Sequence, residues 1–113
     1  MKLRLLIIST LISISFSSKK NFDIYLESEL PYLKRLYMDI HQNPEISLME
    51  KETSIKLAGE LRKIGFDVYE NFGGYGVVGV LKNGEGPTIL YRTDMDALPM
   101  EEKTGLPYAS KIT

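Results

Sequence analysis

Thr88-Ile89-Leu90-Tyr91-Arg92-Thr93-Asp94-Met95-Asp96-Ala97-Leu98-Pro99-Met100 sets the architecture expected of this chain. Its first five residues carry β-branched and aromatic side chains and follow Gly84, Gly86 and Pro87. That composition predicts a buried strand entered from a turn. Asp94 and Asp96 fall where the strand should end, and Pro99 cannot continue a sheet. Ligands of open α/β sheets bind outside the carboxyl ends of strands. Two carboxylates at such an edge are therefore candidates for metal or proton chemistry. The plainer alternative is that both acids cap a turn, because Asp hydrogen-bonds its own backbone readily. Position and spacing favour that plainer role.

The chain has 113 residues, enough for one small domain with a single core. Its hydrophobic share of 43% and charged share of 26% are those of a globular protein rather than a disordered tail. A formal net charge of −1 gives no electrostatic reason to expect a nucleic-acid partner. There is no Cys, which excludes disulfides, thiolate metal sites and Cys nucleophiles within these residues. His41 is the one histidine. A metal site made from this chain alone would rest on carboxylates, poor provision for zinc.

At the start, Lys2 and Arg4 precede an apolar run from Leu5 to Phe16, and Ser15 and Ser17 sit at signal-peptidase spacing. Residues 1–17 are expected to be a secretory signal peptide, too short in its apolar part for a good membrane span. An uncleaved anchor is the alternative. Cleavage would remove two positive charges and take the net charge from −1 to −3. The expected location is periplasmic or extracellular, with no membrane contact after cleavage.

Leu26, Leu30, Leu33, Leu36, Tyr37 and Ile40 recur at helical spacing. The expected helix has Ser28 as cap, Pro31 in its first turn and an end near His41, because Asn43 precedes Pro44. Ser47-Leu48-Met49-Glu50 reads as a capping box for a second helix. Ser54, Leu57, Ala58, Leu61 and Ile64 form its expected buried face, Glu52 and Lys56 an expected i, i+4 pair, and Gly65 its stop. Phe66 to Glu70 and Val77 to Leu81 read as strands around a glycine turn, the second covered on both faces. Gly79 within it suggests a close approach or a bulge. Asn83-Gly84 then predicts a turn into a third strand over Thr88 to Arg92. The fold class is α/β: two helices, then three strands of a mixed sheet.

Several motifs together resemble a known family. They are His41-Gln42-Asn43-Pro44-Glu45 with Glu50 and Thr53, Gly76-Val77-Val78-Gly79-Val80-Leu81, Arg92-Thr93-Asp94-Met95-Asp96-Ala97-Leu98-Pro99, and Glu102 with Thr104-Gly105-Leu106-Pro107-Tyr108-Ala109-Ser110. Over residues 30–113 the chain is similar to the N-terminal part of the aminoacylase/carboxypeptidase metallopeptidases. The nearest branch is that of hippurate hydrolases, N-acyl-amino-acid amidohydrolases and plant indole-acetyl-amino-acid hydrolases. The resemblance implies a mixed-sheet catalytic domain interrupted by a lid domain that often dimerises. It implies hydrolysis of the amide bond of an N-acyl amino acid or dipeptide by two divalent ions, zinc or manganese, about 3.5–4 Å apart, with a glutamate as general base. Other branches carry a metal-ligating His where Asp94 stands, and an Asp that orients it where Asp96 stands. This branch takes its ligands from a downstream His-x-Cys-Gly-His-Asp motif. The resemblance thus gives Asp96 the role of orienting an imidazole and Asp94 a lesser place at the site. It assigns no metal ligand within these residues, and His41 is expected to be structural.

Residues 18–113 are accordingly expected to be an incomplete N-terminal portion of the catalytic domain, inactive alone. The competing expectation is a short, non-catalytic secreted module. Val77 to Leu81 and Thr88 to Tyr91 weigh against it, since both runs need cover that two helices do not supply.

Overall fold

The computed structural model describes residues 2–112, with side chains from residue 21 onward. Its elements are α1 (Lys2–Gln42), α2 (Lys51–Lys63), β1 (Asp67–Phe72) and β2 (Gly76–Val80), an α/β chain. Residues 1–38 and 39–113 form separate compact units. The signal peptide expected over 1–17 rests on side chains outside the described residues. No helix among the described residues is long and apolar enough to cross a membrane.

In the first unit the helix does not begin near Ser28. It runs on through Pro31, which sits in its interior rather than its first turn. Ser28 is correspondingly not a cap: its hydroxyl donates to the Tyr25 carbonyl one turn back, at 2.6 Å. The residues from Asn21 to Leu30 include no helix breaker, so nothing in them ends the helix before Pro31. The predicted apolar stripe is exposed at Leu26, Leu30, Leu33 and Tyr37.

In the second unit α1 closes as expected. Asn43 Nδ2 donates to the Asp39 carbonyl at 2.8 Å and the Asn43 amide to that of Ile40 at 3.2 Å. These bonds satisfy carbonyls that a helix end leaves orphaned. Pro44 follows and prevents continuation.

The Schellman motif that ends α2 was legible in Gly65. The Gly65 amide donates to Arg62 O and the Phe66 amide to Leu61 O, both at 3.1 Å, with Gly65 at φ +89°. Thr53, Ser54 and Ala58 are buried. Leu57 and Leu61 are half-buried, whereas Ile64 is 65% exposed, because the cap residue has rotated off the packed face. The expected Glu52–Lys56 pair does not form. Lys56 binds Asp39 in the last turn of α1 instead, which ties that helix end to the middle of α2.

β1 and β2 pair antiparallel, Asp67 opposite Val80 and Phe72 opposite Gly76, with a bulge at Asn71 (φ +65°). Both pack on α2. Arg62 also bonds Glu70 across that contact. A Cβ at Gly79 would stand 3.0 Å from Phe66 Cδ1 and 3.1 Å from Leu61 Cδ1. That is the close approach expected of this glycine. Cover on both faces of β2 is not found: Val77 is half-buried but Val78 and Val80 are exposed.

The third strand does not form. Residues 81–83 and 87–96 have no regular structure, and the sheet has two strands among the described residues. Ile89, Leu90 and Tyr91 are 74%, 87% and 90% exposed. A strand exists only by pairing, and β2 offers its outer edge to no neighbour here.

Candidate functional site

The second unit contains the backbone link that fixes the acidic edge. The Ala97 amide donates to the Glu45 carbonyl at 2.7 Å, and Ile46 and Ala97 form a parallel bridge. The residue after Asp96 is thereby held against the segment between α1 and α2. Asp94 is two-thirds exposed and pairs with Arg92 at 2.8 Å. Asp96 is exposed, and its carboxylate makes no hydrogen bond or ion pair among the described residues. Both acids stand in an irregular segment rather than at a strand end, and neither is joined to His41, which bonds Glu102.

Two other carboxylates do the organising. Glu45 caps α2: Oε1 accepts from the Glu52 amide at 3.0 Å and Oε2 from the Thr53 amide at 2.7 Å. The expected capping box is therefore replaced. No side chain of the N-cap residue Glu50 bonds the helix, and its carboxylate turns back to the Leu48 amide at 2.9 Å. A carboxylate arriving from outside serves two helical amides and the helix dipole at once, which a Ser47 hydroxyl cannot. Burial pushes the Glu45 carboxyl up. The Thr53 and Glu52 hydrogen bonds, with Lys56, outweigh it and leave the group below its ordinary value.

Glu102 is the second hub. Its Oε1 accepts from the Thr104 hydroxyl, and its Oε2 accepts from the Ser110 amide at 2.7 Å and from His41 Nε2 at 2.9 Å. A carboxylate only accepts, so the facing imidazole nitrogen carries the proton. The Tyr108 ring meets His41 edge-on, centroids 5.5 Å apart at 80°. Hydrogen bonds from Thr104, His41 and Ser110 hold the Glu102 carboxyl down at about 2. His41 is thus engaged with the 102–110 segment at the end of α1.

Glu45 and Glu102 both lie within the family-like motifs, and neither has a role predicted from the sequence. The available signal for Glu45 was its place after Pro44 and just ahead of a helix that needs capping. Glu102 gave none, because its partner His41 lies 61 positions away.

Two metal ions do not fit these residues. Among those described, no three His, Cys, Asp or Glu side chains come together. His41 is committed to Glu102, and Asp94 to Arg92.

The arrangement defines an α/β unit whose acidic edge is held by backbone pairing and carboxylate clamps. Its relatives make the kinship specific. The chain is 47% identical over 79 residues to a hippurate hydrolase of Campylobacter jejuni, covering 69% of this chain and 21% of that protein. It is 42% identical over 87 residues to an N-acetyl-L-cysteine deacetylase of Bacillus subtilis (76% and 20% covered). A thermostable carboxypeptidase of Saccharolobus solfataricus is 45% identical over 75 residues (65% and 19% covered). No family model matches. No solved structure matches. The chain is a homologue of these amidohydrolases and carboxypeptidases, the group its motifs resemble. It spans about a fifth of the length of the curated relatives it matches.

Proposed function

We propose that these residues belong to a metal-dependent amidohydrolase that cleaves the amide bond of an N-acyl amino acid or a related small peptide. The likeness to proteins named for hydrolysis of such bonds carries this reading. In it, residues 18–113 are the N-terminal portion of the catalytic domain. The two divalent ions, zinc or manganese, take their ligands from elsewhere in the protein. Export to the periplasm or beyond, and pairing of two copies through a lid domain, belong to the same proposal.

The chain's own part is positional. Asp96 offers an unencumbered carboxylate beside a pinned backbone, suited to accept an N–H from an imidazole and fix its orientation. Asp94, neutralised by Arg92, shapes the same edge. Pro99 ends the extended run there.

The test is hydrolysis of hippurate and N-acetyl amino acids by the full-length enzyme, followed as released amino acid. Chelation should abolish turnover, and zinc or manganese should restore it. Asp96→Ala should lower activity about 10–100-fold with an unchanged circular dichroism spectrum. Chelator-insensitive turnover removes the metal. Undiminished turnover in Asp96→Ala removes that residue from the site.

A further inference from the structure

We propose that Glu45 is the positioning residue of the acidic edge, tying the backbone that follows Asp96 to the amino end of α2. The inference rests on the reading of Asp96 as a site residue. Glu45 acts at both ends. Its carboxylate takes the Glu52 and Thr53 amides, and its carbonyl takes the Ala97 amide. α2 packs on both strands and buries Thr53, Ser54 and Ala58, so the cap is fastened to the best-packed part of the unit. Pro44 restricts the chain on the other side of Glu45. Asp96 has no side-chain partner of its own among the described residues. Its place therefore depends on the Ala97 link, and the link on where Glu45 is held. Small displacements of an orienting group are costly in turnover, and binding need not change.

The first experiment needs no substitution. Hydrogen exchange on the full-length enzyme should show the Glu52, Thr53 and Ala97 amides opening as one unit. Independent exchange of Ala97 overturns the proposal. In the second, Glu45→Ala should lower kcat about 10–100-fold with KM unchanged. Glu45→Gln, which keeps one acceptor oxygen in place, should recover part of the loss. A merely structural role would predict no kcat-specific effect in the folded fraction. Full kcat in Glu45→Ala beside a crippled Asp96→Ala overturns the positioning role and leaves the site reading intact. Full turnover in Asp96→Ala overturns both. Should Glu45→Ala fail to fold, Glu45→Gln and the exchange pattern of the unsubstituted enzyme decide.

Discussion

Val77 to Val80 and Ile89 to Tyr91 are two apolar runs of similar length and opposite fate. The first forms β2, pairs with β1 and lays one face on α2. The second is exposed at every position, up to 90% at Tyr91. The difference is supply of neighbours. β1 lies three residues ahead of β2, and the loop that closes them costs little. Residues 88–91 find no strand to pair with. What holds their segment is polar: the Ala97 amide on Glu45, and Glu102 gathering His41, Thr104 and Ser110. Apolar pattern alone thus makes a candidate strand, and a partner makes it a strand.

The largest expected effect that would break this comparison is at Leu90. If residues 88–91 form an inner strand in the amidohydrolase proposed above, Leu90→Ala should cost about 2–5 kcal/mol in urea unfolding. A loss below about 0.5 kcal/mol would keep Leu90 on the surface, as its 87% exposure has it.

Gly76 sharpens the hairpin side. A Cβ there would collide with the Phe72 carbonyl oxygen, which is backbone and cannot swing aside. Gly76→Ala should destabilise by about 1–3 kcal/mol, read as a lower denaturation midpoint with an unchanged slope. An unaltered midpoint would mean that the turn between β1 and β2 does not set the hairpin.

The smallest effect belongs to the polar clamp. The folded Glu102 carboxyl sits at about 2, below its ordinary 4.5. A depressed carboxyl stabilises above its unfolded value and loses that contribution as pH falls through the folded one. The clamp should therefore be intact at neutral pH and weaken between about 4.5 and 2. The chemical shift of the Ser110 amide, which donates to Glu102, should report the change. Glu102→Gln should remove the change at the Ser110 amide between about 4.5 and 2, and its persistence in that variant would assign it to another group.

The parts legible in advance were those settled within one or two turns of chain. Gly65 announced the end of α2, Asn43-Pro44 the end of α1, and the Gly73–Gly76 turn the hairpin. Three of the errors trace to a competing partner or to a missing one. Glu45 took the cap intended for Ser47-Leu48-Met49-Glu50, Asp39 took Lys56 from Glu52, and residues 88–92 found no strand to join.

By itself, the amino-acid sequence determined the α/β class, the C-terminal end of α2 and the kinship of the chain with amide hydrolases, because propensity, glycine geometry and motif order act locally. Only the tertiary structure decided which carboxylates do the holding. Glu45 reaches the amides of α2 from seven and eight positions away, and Glu102 meets His41 across 61. A partner 61 positions away is chosen by packing and charge in three dimensions, which no spacing along the chain records.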